Sequence, residues 1–315
     1  MEHASRPAIL TPDREGIAEA ARILREAGLV AVPTETVYGL AARADRDESV
    51  AAIYKAKGRP SFNPLIVHVA GLKAAQALAT FDARALQLAD AFWPGPLTLV
   101  LPLREYAPVA AAVTAGLATV ALRCPAHPVM RALIAETGLP LAAPSANRSG
   151  GVSPTDAAHV VSSLEDRLDA VIDAGACEAG LESTIVALRE GGRWQVLRPG
   201  PISERRIAAV LGTSSEPVTS QAIEAPGQLA SHYAPGKPVR LDAPTAQADE
   251  FHIGFGDVAG DVTLSASGDL DEAAARLYAL LHEAAASQQK RIAVAPIPHD
   301  GIGTAINDRL RRAAA

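Results

Sequence analysis

The spacing of apolar and polar positions along this chain changes several times, and each change marks a new element. "TPDREGIAEAARILREAG" reads as a helix, with Thr11 as N-cap, Pro12 at the first helical position and Gly28 at its end. The apolar run "LVAVPT" follows as a strand. Further helices are predicted at "ESVAAIYKAKG", "LKAAQALAT", "ARALQLADAFW", "HPVMRALIAETG", "SERRIAAVLG" and "SPTDAAHVVSSLEDR", the last capped near Ser153 or Thr155. Strands fall at "PLIVHVA", "LTLVLPL", "TVALRCP", "PLAAPSAN", "AVIDAG", "STIVAL" and "RWQVLRP". Some of these runs alternate strand with helix and others set strand after strand. Together they predict an α/β fold class: a twisted mixed sheet with flanking helices in a large N-terminal domain, residues 1–212.

From Thr213 to Pro238 the periodicity fades into a stretch rich in Pro, Ser, Thr and Gly, which reads as a linker. A structureless loop of that length is usually either functional or disordered, so residues 213–238 are a candidate lid over a site. Beyond it the strands "VRLD", "FHIGFG", "DVTLSAS" and "RIAVAPIP" and the helices "LDEAAARLYALLHEAAAS" and "GTAINDRLRRAA" predict a smaller, Rossmann-like α/β C-terminal domain, residues 239–315.

Composition narrows the function classes. A chain of 315 residues, 49% hydrophobic and 20% charged, is of ordinary globular make-up, and its net charge of −6 argues against a general nucleic-acid coat. Cys124 and Cys177 stand alone, without metal-ligand spacing, which suits reduced thiols and a cytoplasmic setting. The opening "MEHASRPAIL" has no apolar h-region, and no run reaches membrane-spanning length, so neither a signal peptide nor a membrane partner is expected. The phosphate-loop, dinucleotide-fold, nucleophile-elbow and zincin motifs are all missing, which leaves little support for a covalent or protein-bound-metal mechanism.

What the chain does carry is six polar clusters, each at the end of an apolar strand. They are Thr34–Thr36 in "PTETVYGL", Lys57, Arg59, Asn63 and His68 in "KGRPSFNPLIVHV", and Thr119, Arg123 and His127 in "TVALRCPAHP". The others are Ser145, Asn147, Ser149 and Ser153 in "APSANRSGGVSPT", Ser183 and Thr184 in "GLESTIV", and Arg198 in "VLRPGPI". Taken singly each has an ordinary structural reading: hydroxyl caps, surface cations, turn-formers, a hydrogen-bonded core histidine. Taken together they form a set rich in guanidinium and hydroxyl groups and poor in acids. Ligands of open α/β sheets gather at strand ends, and this set suits phosphate and carboxylate oxygens. With no obvious nucleophile, catalysis would rest on positioning and charge stabilisation.

Those segments, with "FWPGPLTLVL", resemble in order and spacing the threonylcarbamoyl-AMP synthase family; "SHYAPGKP" and "GIGTAINDRLRRAA" resemble its longer, two-domain form. The resemblance implies synthesis of L-threonylcarbamoyladenylate and pyrophosphate from L-threonine, bicarbonate and ATP. That is the first step of N6-threonylcarbamoyladenosine formation in tRNA, with the product passed to a separate tRNA threonylcarbamoyl transferase complex. It implies Mg2+ arriving with ATP, no metal ligand from protein side chains, and at most a weak contact with tRNA. By the same resemblance Thr36, His68, Arg123, Ser183 and the backbone at Ala143 would hold threonine. Arg59, Asn63, Thr119, Ser145, Ser153, Arg198, His232 and Tyr233 would hold ATP, with Lys57 and Arg59 as the electrostatic groups of catalysis. The alternative is an RNA-binding module of the same fold without catalysis, against which the acidic net charge counts.

Overall fold

The structure, a computed structural model, describes residues 6–219 and 222–315. Of the segments discussed above, the first five residues and Ser220 and Gln221 lie outside the described residues.

The first part of the chain gives the strands β1 (Ala8–Leu10), β2 (Val30–Val32), β3 (Gly39–Arg43), β4 (Ile66–His68) and β5 (Leu97–Pro102). They are followed by β6 (Thr119–Arg123), β7 (Leu141–Ala142), β8 (Ala170–Ile172), β9 (Thr184–Leu188) and β10 (Trp194–Arg198). These form one ten-stranded mixed sheet in the order β1-β8-β2-β3-β7-β4-β6-β5-β9-β10. Its helices are α1 (Arg14–Arg25), α2 (Asp47–Lys57), α3 (Leu72–Leu78), α4 (Ala83–Phe92), α5 (Ala111–Thr114), α6 (Pro128–Thr137), α7 (Ala157–Leu164) and α8 (Glu204–Leu211). The C-terminal part forms a second, parallel sheet of β11 (Val239–Arg240), β12 (Glu250–Gly254), β13 (Val262–Thr263) and β14 (Arg291–Val294). It packs with α9 (Leu270–Ala286) and α10 (Gly303–Ala313). The expected mixed α/β class with a smaller second α/β unit is what is found.

Alternation along the central strands decides where a site can form. Val67, Leu99, Leu122 and Val186 point to one face and join a core filled by α2, α3, α4, α5, α7 and α8. Their neighbours Ile66, Val100, Ala121 and Ile185 point to the other face. On that second face α1 and α6 cover only the half built on β8, β2 and β7. Over the other half the apolar patch is small, and it is closed by Ala225 of the connecting segment rather than by a helix. A polar cavity can therefore sit at the border of the two halves without opening the main core.

Several elements differ from their sequence-based expectation. The cap of α1 is Asp13, whose carboxylate accepts from Gly16 N at 2.9 Å, while Thr11 only donates to that carboxylate. The cap of α7 is Asp156, not Ser153 or Thr155, because the Ser153 hydroxyl is bonded to Glu182. "PLAAPSAN" keeps only Leu141–Ala142 in the ladder; Pro144 has no N–H to continue it. The short run of β3, made of small residues and pairing antiparallel with β2, was not expected.

Candidate active site

Thr36, Val37, Arg59, Ile66, His68, Arg123, Ala143, Pro144, Ser145, Glu182, Arg198, Pro226, Gly227, His232 and Tyr233 line a single cavity of about 40 Å³. Eight separate strand ends and loops contribute to it, and each is aimed by a local device. Thr34 Oγ1 donates to Val37 O at 2.7 Å and lies 2.8 Å from Thr36 Oγ1, a hydroxyl-closed turn that fixes Thr36. Gly58 ends α2 at φ 61°, a left-handed turn that suits glycine and sends Arg59 out of the helix. Arg59 then curls over its own loop, donating to Asn63 Oδ1 at 2.7 Å and Pro64 O at 2.8 Å.

His68 and Arg123 are register partners on adjacent parallel strands, so both project from the same end of the same face. Arg123 Nη2 donates to Glu35 Oε1 at 2.7 Å, and Glu35 Oε2 accepts the N–H groups of Ala126 and His127 at the start of α6. Burial alone would raise the Glu35 carboxyl; the Arg123 charge and these bonds outweigh it and hold the group below its ordinary value. His68 is held down to about 3 by burial and by the positive charge of Arg123, so its ring is neutral at physiological pH.

Seven buried side-chain polar atoms lack a hydrogen-bond partner among the described residues, and four of them belong to this cavity: His68 Nδ1, Arg123 Nε, His232 Nδ1 and Tyr233 Oη. Unmet polar groups of this kind are costly in an interior, and their concentration in one place marks a ligand site. Larger clefts, such as the one of about 820 Å³ between α8 and α10, contain none of them.

Of the residues singled out from the sequence, Thr36, Arg59, His68, Arg123, Ala143, Ser145, Arg198, His232 and Tyr233 line the cavity. Five others do not. Lys57 is buried with its ammonium on the carbonyls of Ser145 and Asn147, and burial pushes it well below the ordinary lysine value, followed by the effect of Arg59. Asn63 stands behind Arg59, and Ser183 behind Arg198, which donates to Ser183 Oγ at 3.1 Å. Ser153 donates to Glu182. Thr119 opens β6, four residues from Arg123 and away from the cavity. Glu182, Pro226 and Gly227 were missed. Glu182 stands in the quoted "GLESTIV", where an acid beside strand-end hydroxyls was the available signal.

A family model described as "Telomere recombination" matches residues 22–200, and one described as "Threonylcarbamoyl-AMP synthase, C-terminal domain" matches residues 202–315. A threonylcarbamoyl-AMP synthase of Bacillus subtilis is 39% identical, covering 95% of this chain and 92% of its own. One of Pyrococcus abyssi is 38% identical over 94% and 93%. The crystal structure of P. abyssi Sua5 complexed with L-threonine superposes with a TM-score of 0.89 at 35% identity, covering 98% of this chain and 97% of that one. Family models spanning nearly all of the chain and full-length relatives agree: the chain belongs to the threonylcarbamoyl-AMP synthase family.

Proposed function

We propose that this chain makes L-threonylcarbamoyladenylate and pyrophosphate from L-threonine, bicarbonate and ATP. One observation carries the reading. The unpartnered Arg123 Nε and His68 Nδ1 mark one end of the cavity as a carboxylate site, while Arg59, Arg198 and the unpartnered Tyr233 hydroxyl line the other. Relatives named for this activity, and a related structure titled as complexed with L-threonine, support the same reading.

The chemistry then needs no protein nucleophile. The threonine amine and bicarbonate condense to an N-carboxylate with loss of water. One of its oxygens attacks the α-phosphorus of ATP, the bond to the bridging oxygen breaks, and pyrophosphate leaves with that electron pair. Arg123 and His68 hold the threonine carboxylate, and Thr36 orients the amino acid from the same end. Arg59 and Arg198 offset the charge of the triphosphate. Ser145 completes the nucleotide side, with Asn63 bracing Arg59 and Ser153 bonded to Glu182 behind it, and Lys57 acts by holding the Ser145–Asn147 loop against it.

The cavity's own carboxylate, Glu182, and the neighbouring Glu35 are both paired with arginines, so neither is free to take a cation. Among the described residues no cluster of His, Cys, Asp or Glu has metal-binding geometry. Mg2+ would arrive with ATP, held by its phosphate oxygens. At about 40 Å³ the cavity is far below the ~300–1,000 Å³ of small-molecule sites, so the segment carrying Gly227 to Tyr233 must lift for ATP to enter. No helix among the described residues is long and apolar enough to cross a membrane, and we place the reaction in the cytoplasm, upstream of transfer to tRNA.

The test is incubation of the purified chain with ATP, labelled bicarbonate and each of several amino acids. A labelled adenylate is expected with L-threonine. Pyrophosphate release that ignores threonine would refute the assignment.

A further inference from the structure

Glu182 has no part in the chemistry above, yet side chains of both α/β units meet at it. It precedes β9 and lines the cavity. Its Oε1 accepts from Ser153 Oγ, and Tyr278 Oη of α9 lies 3.1 Å from Oε1 and 2.9 Å from Oε2. Arg309 Nε of α10 donates to Oε2 at 2.8 Å. Burial would raise the Glu182 carboxyl, but the charges of Arg309 and Arg198 outweigh it and bring the group down to about 2. The pair therefore stays ionic at any working pH.

Arg309 is fully buried and reaches in three further directions. Its Nη2 donates to the carbonyl of Pro199, the residue after Arg198, at 2.9 Å, and its Nη1 bonds Asp308. Its guanidinium carbon lies 5.2 Å from the ring centroid of Tyr233. The Tyr233 ring also stacks on Tyr278 at 5.7 Å and 25°. Tyr233 sits at φ 64°, a conformation unfavourable for a side-chain-bearing residue, and its hydroxyl points into the cavity without a partner. Its chain neighbours are pinned as well: His232 N donates to Arg312 O at 3.1 Å and Ala234 N to Gly150 O at 2.8 Å. The contacts that keep this tyrosine in a strained pose thus come largely from the C-terminal unit.

Resting on the function proposed above, we infer that Arg309 is a positioning residue for the nucleotide end of the site. One guanidinium fixes Glu182 and, through it, Ser153; it holds the backbone beside Arg198 and supports the face of Tyr233. The C-terminal unit thereby sets where three ATP-side groups stand. Lysine could keep the charge opposite Glu182 but has neither the fork to reach Pro199 O nor the plane to lie on a ring.

The experiment is calorimetric titration of the full chain with Mg-ATP and, separately, with L-threonine. Arg309→Lys is expected to weaken ATP about tenfold and to leave threonine affinity within about twofold. A merely structural role would lower both. In a Tyr233→Ala chain the same Arg309→Lys change should add a smaller loss, about threefold rather than tenfold, because one of the two contacts lysine cannot make is already gone. Equal losses for both ligands, unchanged ATP affinity, or the full effect persisting without Tyr233 would each overturn the inference. If Arg309→Lys does not fold, Tyr278→Phe keeps the ring stack and removes only the hydroxyl contacts to Glu182. A loss confined to ATP supports the inference and unaltered ATP affinity overturns it. Wild-type ATP binding and wild-type adenylate formation are separate readouts, so failure of this inference and failure of the proposed function are told apart.

Discussion

At the scale of single residues, the end of the cavity we assign to the amino acid holds charged groups whose partners leave part of them unspent. Arg123 gives Nη2 to Glu35 and keeps Nε for a ligand; His68 is neutral and keeps Nδ1. Arg123→Lys retains a cation but loses the fork, and threonine-dependent pyrophosphate release should fall about a hundredfold. Near-normal release would remove the assignment of the threonine carboxylate to Arg123. Glu35→Gln tests the brace behind it. The amide keeps one acceptor oxygen yet loses the charge, so Arg123 loosens and the threonine KM should rise about tenfold while the ATP KM stays put. Equal rises in both would show a general disturbance of the pocket. Arg123 was legible in the sequence only as one of a set of strand-end cations and hydroxyls; alone it read equally well as a surface cation. The role of Glu35 was not legible, because its partner lies 88 positions away and only the sheet order, with β3, β7 and β4 between β2 and β6, brings the two ends together.

Among elements, the connecting segment carries the least regular structure and the most constraint. Arg189 of the β9–β10 turn grips Glu224 at 2.7 Å through both Nη atoms, and Gln228 Oε1 accepts the N–H groups of Glu224 and Ala225. The segment is thereby laid onto the uncovered half of the sheet. Gly227, at φ 85°, passes so close to the site that a Cβ would stand 2.8 Å from Arg198 Cδ and 2.9 Å from Tyr233 Oη. Gly227→Ala should therefore stop the segment from seating. ATP-dependent turnover should drop by about tenfold or more, while the unfolding temperature moves little because the displaced segment belongs to neither sheet. A turnover equal to wild type would mean that the segment does not close over the nucleotide. Loss of periodicity after Thr213 announced an irregular segment in the sequence, and "SHYAP" marked its functional end. Glu224, Gly227 and Gln228 gave no such signal, since their value depends on which sheet face is left without a helix. The same limit explains β3, whose small residues form a strand only because β2 and β7 flank it.

For the whole molecule, the question is how the second α/β unit comes to brace a cavity lined by the first part of the chain and the connecting segment. Val37, Val152 and Leu181 from the first part of the chain and Tyr233 from the connecting segment belong to the hydrophobic core of the second sheet, and Gly180 lies so close to α9 that a Cβ would stand 2.5 Å from the Ala274 carbonyl oxygen. At the edge of this contact His159 of α7 stacks on His282 of α9 at 3.9 Å and 13°, with His282 Nε2 3.2 Å from Ser153 O and Asp156 Oδ1 3.3 Å from His159 Nδ1. Burial, followed by the neighbouring His159, brings His282 down to about 4, and burial lowers His159 in spite of Asp156. Both rings are thus favoured in the neutral form when the units are docked. The unfolded chain takes up its protons near the ordinary histidine value of 6.5, and the docked His282 only near 4. The stability from this contact is complete above about pH 6.5 and is lost as pH falls towards 4, because the unfolded state then binds more protons. His68 and His232, each held near 3, weaken the fold across the same range, so the informative quantity is a difference. Between pH 7 and 4.5 the unfolding temperature of wild type should fall more steeply than that of His282→Gln, the two curves converging at the acid end. Parallel curves would show that the stacked pair does not titrate on undocking and that the joint between the units rests on its apolar core and the Glu182–Arg309 pair alone.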